Sequence, residues 1–225
     1  MRVYGRNVFK ELQSNPEQIK KVYLSKNNDD ETFNFIKDHK IFYEIMDNGR
    51  LYKLVNGRHQ GIVMEINDFE YKELNDLYQY DSLIVLDHLN DPHNFGAIIR
   101  TCEALGVKGI IIPKNRSVSV NDTVIKVSAG AINYVDICMV NNLVQTINKL
   151  KEKNYFIYGT DMEGKTYYDV SYAPKKVIVV GNEGEGISRL VSECCDEMIK
   201  IPMTGKINSL NASVATAIVI SEIVR

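Results

Sequence analysis

Apolar and polar positions change rhythm partway along the chain. Up to residue 66, short apolar runs alternate with segments of helical spacing. Residues 5–12 (GRNVFKEL) predict a helix, 19–24 (IKKVYL) a strand, 31–39 a helix, 41–46 a strand and 50–55 a helix. After the turn pair Asn56-Gly57, residues 61–66 (GIVMEI) predict a further strand. These elements make a small α/β unit near the lower size limit for independent folding. Residues 67–80 (NDFEYKELNDLYQY) are acidic and tyrosine-rich, and read as a linker or a bridging helix.

From residue 81 the strands become apolar throughout. Residues 83–86, 107–112, 155–158, 177–180 and 198–201 are such runs, the second broken by Pro113. Between them lie a helix over about residues 95–105 stopped by Gly106, and an amphipathic helix over 142–153; a long apolar helix covers about 210–224. Continuous apolar strands alternating with helices predict a parallel sheet covered on both faces. The organisation expected is therefore α/β throughout: a small domain at 1–66, a linker at 67–80 and a parallel-sheet domain at 81–225.

Composition narrows the class. The chain has 225 residues, 44% hydrophobic and 25% charged, which excludes a disordered chain and leaves room for one or two cores. No stretch approaches the ~18 apolar residues of a membrane span. The first ten residues carry Arg2, Arg6 and Lys10 without an apolar run, unlike a secretory signal. Cys102, Cys138, Cys194 and Cys195 form no C-x-x-C pair, and reduced thiols in a cytoplasmic protein are expected. Net charge is −2, but residues 1–61 carry 11 Lys and Arg against 8 Asp and Glu, and residues 62–80 one against five. A mildly basic module before an acidic segment suits RNA, though a solvated surface fluctuates as much.

Gly159-Thr-Asp-Met-Glu-Gly164-Lys165-Thr166 matches G-x-x-x-x-G-K-[ST]. A phosphate loop must open a helix, and the sequence continues with β-branched and aromatic residues toward Pro174, so a surface loop is expected instead.

Three other loops carry chemistry. In Leu86-Asp-His-Leu-Asn-Asp-Pro92-His93-Asn94-Phe-Gly96-Ala-Ile-Ile-Arg100, Asn94 is the expected helix N-cap, with Gly96 and Arg100 on one helical face. In Val180-Gly181-Asn182-Glu183-Gly184-Glu185-Gly186, three glycines after a buried strand free the backbone to meet a ligand at a strand's carboxyl end. In Ile201-Pro-Met-Thr-Gly-Lys206-Ile-Asn208-Ser209-Leu210-Asn211-Ala-Ser213, Asn208 or Ser209 is expected to cap the last helix, and further polar residues crowd its first turn. Singly, each loop also fits an ordinary capped helix or a flexible turn.

In this order and spacing the three loops resemble the motifs of the SpoU/TrmH family of RNA ribose 2′-O-methyltransferases, within the SPOUT superfamily, and the resemblance runs from Leu83 to the C-terminus. Tyr4-Gly5-Arg6-Asn7-Val8 and Arg58-His59-Gln60-Gly61 look like parts of the L30e-like RNA-binding domain of bacterial 23S rRNA guanosine-2′-O-methyltransferases. The resemblance implies a deep trefoil knot in the parallel-sheet domain, S-adenosyl-L-methionine held in that knot, and a homodimer with each active site near the subunit interface. It implies that Gly181, Ile201 and Leu210 line the adenosine pocket, and that Asn94, Arg100, Glu183, Ser209 and Asn211 form the catalytic cluster. Arg6, Arg58 and His59 become the RNA-binding candidates, and Lys206 receives no role.

The reaction suits these residue types. The ribose 2′-oxygen must lie in line with the methyl–sulfonium bond, and its proton must be accepted as it attacks. The family's proposal of the motif-one arginine as base meets a physical objection, since a guanidinium keeps its proton and accepts no hydrogen bond. Arg100 is therefore expected to grip the neighbouring phosphate and orient the ribose, beside Glu183. His59 and His93 lack metal-ligand spacing, so no metal is expected. Cys194-Cys195 is read as structural, and Tyr71, Tyr78 and Tyr80 as packing residues rather than base-stacking ones. The expected substrate is 23S rRNA or a ribosomal precursor. The alternatives are a tRNA ribose or rRNA adenosine 2′-O-methyltransferase, an RNA-binding scaffold without catalysis and, outside the family, a P-loop nucleotide-binding protein.

Overall fold

The computed structural model describes residues 1–55, 57–206 and 209–225, so Asn56 and Asn208 lie outside the described residues. One unit comprises Met1–Glu70 with Val120–Gly130; the other comprises Tyr71–Ser119 with Ala131–Arg225. Among the described residues no helix is long and apolar enough to cross a membrane.

The first unit runs β1 (Arg2–Tyr4), α1 (Arg6–Leu12), β2 (Ile19–Ser25), α2 (Asp30–Asp38), β3 (Phe42–Met46), α3 (Asn48–Leu54) and β4 (Ile62–Ile66). Its sheet has the order β1-β4-β2-β3, parallel only between β2 and β3, which α2 connects. Asp29 caps α2 by accepting the Thr32 N–H at 2.8 Å, and Asp47 caps α3 by accepting the Arg50 N–H at 2.9 Å. Val22, Leu24, Ile36, Leu51, Val63 and Met64 are fully buried beneath these caps.

Between residues 67 and 80, read as a linker or a bridging helix, one short helical turn forms. There α4 (Leu74–Leu77) buries Leu77 completely in the second unit's core. The chain continues through β5 (Ser82–Leu86), α5 (Pro92–Ala104), β6 (Gly109–Pro113) and α6 (Asp122–Ser128). The last of these lies in the first unit, where Lys126 stands 5.5 Å over the Tyr4 ring. Then come β7 (Asp136–Val140), α7 (Leu143–Glu152), β8 (Phe156–Thr166), β9 (Lys176–Val180), α8 (Arg189–Ser192), β10 (Glu197–Lys200) and α9 (Ala212–Ile223).

The second unit's sheet has the order β10-β8-β9-β5-β6-β7 and is parallel at every pairing, as the apolar strands predict. Leu83, Ile84, Val85 and Leu86 are wholly inaccessible, which contributes roughly 1.5–3 kcal/mol for each such side chain. The chain builds outward from β5 in one direction and returns on its other side, so β5 and β9 flank the point where strand order reverses. Ligand crevices of open α/β sheets form at such a point.

Four expectations need correction. Asn94 is not the cap of α5: Asp91 accepts the His93 N–H at 2.8 Å, and Pro92 opens the helix. Ser209 does not cap α9, and Asn208 lies outside the described residues: Asn211 caps it, accepting the Ser213 and Val214 N–H groups. The strand β7 has no counterpart in the sequence reading, and its pairing with β6 supplies the register that its short run lacks. The Gly159–Thr166 stretch is neither a phosphate loop nor a surface loop. It continues β8, pairs with β10, leads into a 3₁₀ turn, and its Lys165 is ion-paired with Glu197. A phosphate loop needs a helix N-terminus, and that sequence opens none here.

Candidate active site

All three motif loops leave carboxyl ends of the parallel sheet: the first after β5, the second after β9 and the third after β10. The first two strands are neighbours; the third lies at the sheet edge, yet α9 packs against α5. That return brings Asn211 to the start of α5.

There the side chains form a line. Asn94 is buried on the first turn of α5; its Nδ2 donates to Glu183 Oε1 at 2.6 Å, and its Oδ1 accepts from Asn211 Nδ2 at 2.8 Å. The Oδ1 of Asn211 meanwhile takes the Ser213 N–H at 3.0 Å and the Ser213 hydroxyl at 2.6 Å. The residue that caps α9 thus also holds Asn94, and Asn94 holds Glu183. Among the described residues the second carboxylate oxygen of Glu183 takes no hydrogen bond, and the side chain is exposed. The arrangement presents an oriented, solvent-accessible acceptor.

The loop bearing Glu183 is closed on itself. Asn182 and Gly186 exchange both backbone hydrogen bonds, at 3.0 and 2.9 Å, and Gly186 adopts φ +71°. A Cβ on Gly181 would stand 2.1 Å from the Gly186 carbonyl carbon, so only glycine fits. Gly181→Ala is expected to open this loop. Calorimetric titration with S-adenosylmethionine checks it, with affinity reduced at least about tenfold, since a misplaced site commonly costs that much and more.

Two residues that the sequence reading passed over hold the loop from beneath. Asp87, 1% exposed, accepts the Ser188 N–H at 2.6 Å on one oxygen and meets His88 Nδ1 at 2.5 Å on the other. The His88 carbonyl accepts from Asn182 Nδ2 at 2.8 Å, and His88 itself sits at φ +58°. The dipeptide after β5 therefore clasps both ends of the second loop. The available signal was an acidic residue directly following a fully apolar strand.

The structure does not gather every candidate. Arg100 is exposed, six residues beyond Asn94 on α5, hence about 9 Å along the helix and about 120° around it. Among the described residues it joins no ion pair, and Ser209 joins no hydrogen bond with the cluster. Ile201 is half-buried, while Leu210 is exposed at the approach to α9. In the first unit, Arg6 pairs with Asp29 at 2.7 Å and its N–H donates to Gln60 Oε1 at 3.0 Å. His59 Nδ1 accepts the Gly61 N–H at 3.0 Å, and Arg58 is exposed beside it. Burial pushes the Cys102 and Cys195 thiols up to about 12, so both stay protonated near neutrality.

The profile described as the SpoU rRNA Methylase family matches residues 81–221, and that described as RNA 2′-O ribose methyltransferase substrate binding matches 2–72. A Staphylococcus haemolyticus protein described as a TrmH family tRNA/rRNA methyltransferase is 39% identical, covering 99% of this chain and 94% of its own. Its Bacillus subtilis counterpart YacO is 36% identical with the same coverage. Among solved structures, the SpoU methyltransferase AviRb of Streptomyces viridochromogenes, in complex with AdoMet, superposes with TM-score 0.86. It is 20% identical and the match covers 100% of this chain and 89% of that one, which speaks to the fold. The A. aeolicus TrmH/SpoU tRNA modifying enzyme is 34% identical, with TM-score 0.60 over 67% of this chain and 80% of that one.

Proposed function

The chain belongs to the SpoU rRNA methylase family, and from that premise we propose that it methylates a ribose 2′-hydroxyl in RNA, a guanosine of 23S rRNA, using S-adenosyl-L-methionine. The observation that carries this reading is the hydrogen-bonded line Asn211–Asn94–Glu183 at the point where strand order reverses.

The residues present fit the cofactor. Strand β9 runs into Gly181, where no side chain can stand, and the loop after β10 carries the apolar Ile201, Met203 and Leu210, the last two more than a third exposed. Uncovered apolar side chains and a bare backbone position, on loops that leave carboxyl ends of one parallel sheet, suit an adenosine ring and a soft sulfonium. When bound, the cofactor supplies an electrophilic methyl group on a cationic sulfur. The chain's own residues do the rest. Asn94 and Asn211 hold Glu183 so that its open oxygen would take the proton of the ribose 2′-hydroxyl as that oxygen becomes the nucleophile toward the methyl group. Ser209 stands on the same approach as a hydroxyl contact. Arg100 grips the neighbouring phosphate.

Three further parts belong to the reading. The first unit is an L30e-like module that binds RNA through Arg6, Arg58 and His59. The second is knotted, as the family resemblance implies. The enzyme acts as a cytoplasmic homodimer, as the family resemblance implies.

The test is methyl transfer from labelled S-adenosylmethionine to purified unmodified 23S rRNA and, separately, to unmodified tRNA. The label is expected in rRNA, at a guanosine linkage that resists alkali. Label in tRNA alone overturns the substrate. No label in either, or in a ribosomal precursor particle, together with no cofactor binding, overturns the enzyme. For Arg100→Lys, kcat/KM is expected to fall about 10- to 100-fold, because lysine keeps the charge but not the forked donors. A pH–rate profile of the variant should keep its shape; activity gained as lysine deprotonates would show that Arg100 serves as the base.

A further inference from the structure

In the first unit, β3 is an edge strand, and its first residue, Phe42, is 80% exposed. Its ring borders a cleft of about 330 Å³ that Pro16, Glu17, Lys20, Lys40 and Ile41 also line. Neither lysine is in an ion pair among the described residues. Lys20 feels the Asp68 carboxylate, but Asp68 is bonded to the N-terminal ammonium at 3.0 Å. Lys40 occupies the left-handed position after α2, at φ +53°, where glycine is the low-cost residue. The turn closes there with the Ile41 N–H donating to the Ile36 carbonyl at 2.9 Å. The chain thus sets a cation at a strained position and an aromatic ring in water, two residues apart, over one concavity.

We propose that this cleft is a second RNA subsite, which takes one unpaired base on the face of Phe42 and the adjoining phosphates on Lys20 and Lys40. An exposed ring with flanking cations is the chemistry of single-stranded nucleic acid, since every base has a face to stack and every linkage a charge. A protein partner seeking apolar surface would not need two lysines at the rim that join no ion pair among the described residues. The site is separate from the Arg6 and His59 loops. Those lie at the Ser25 end of β2, where the Ser25 N–H donates to the Gly61 carbonyl at 2.8 Å. The cleft lies at the Ile19 end, six residues away along the strand, or about 20 Å. RNA held at both ends would run the length of the sheet. The inference rests on the RNA-methylating reading and adds a subsite to it.

The experiment uses the full chain and a fluorescein-labelled single-stranded RNA dodecamer of mixed sequence, with its duplex for comparison, read by anisotropy at two salt concentrations. Phe42→Ala is expected to weaken single-strand binding about tenfold, while Phe42→Trp preserves it. Lys20→Ala and Lys40→Ala should each weaken binding and flatten the salt dependence by about 0.7 in log–log slope. Glu17→Gln, which removes the opposing carboxylate, should tighten it. All four side chains are accessible, so melting temperatures should match the parent. The proposal is overturned if the parent does not bind the dodecamer, or if Phe42→Ala binds as the parent does. It is equally overturned if the loss in Phe42→Ala accompanies a change in oligomeric state, which would make β3 an edge between copies. Methyl transfer separates the two failures. A parent that labels RNA, with Phe42→Ala equal to it in KM, leaves the enzyme standing and removes only this subsite.

Discussion

Asn94→Asp is expected to lower kcat for methyl transfer at least about 100-fold, more than Asn94→Ala does, with little change in cofactor affinity. An amide is a donor on one side and an acceptor on the other, and both are used: Nδ2 gives to Glu183 at 2.6 Å and Oδ1 receives from Asn211 at 2.8 Å. Aspartate has the same shape but accepts at both ends. It would press oxygen against the Glu183 carboxylate at a position only 6% exposed, where water screens poorly. Glu183 would then turn outward, away from the hydroxyl whose proton it takes. Alanine leaves the two partners unpaired at a cost of about 1–3 kcal/mol without repulsion. Single-turnover methyl transfer with saturating cofactor checks the order. An Asn94→Asp enzyme that keeps more than half of the parent rate would remove this line of residues from catalysis.

The second large effect is expected at Asp87. Asp87→Ala leaves the Ser188 N–H unpaired and lets go of His88, which anchors Asn182 through its carbonyl. Losing a buried, charge-assisted pair of this kind costs about 3 kcal/mol, or about 6–12 °C in melting temperature for a chain of this size. Cofactor affinity should fall with it, by about tenfold or more, because both ends of the loop bearing Glu183 come loose. Asp87→Asn separates geometry from charge. Its amide oxygen still accepts from Ser188, so it should recover most of the affinity and part of the stability. Thermal melting and calorimetric titration read the two quantities side by side. Equal damage from alanine and asparagine would mean that the charge itself, not the clasp, is what the site requires.

Motif recognition and geometry contributed differently to this site. Asn94, Glu183 and Asn211 could be named from their loops, but Asn94 read alone looks like a helix cap. Asparagine is a good cap and stands near the right place; only the structure shows Asp91 taking that role and freeing Asn94 to face inward. The same confusion of position touched α9, where the cap is Asn211 itself. Asp87 escaped notice because its partners come from the far side of the fold. Its bond to Ser188 spans 101 residues, and no local pattern encodes a bond of that reach. Arg100 shows the converse: its motif position groups it with Asn94, while the helix turns it to a different face.

The sequence by itself determined the α/β class and the parallel sheet, because strands buried on both faces must be apolar at every position. It also determined the residue types available for chemistry and the order of the three loops. Only the tertiary structure decided that β8 extends through a stretch spelled like a phosphate loop, and that β7 joins the sheet. It decided too that Asn94 bridges residues 89 and 117 positions away. The physical reason is common to all of these. Side-chain periodicity is local and can be read along the chain, whereas a backbone ladder or a shared hydrogen bond takes its partner from whichever segment packing brings alongside.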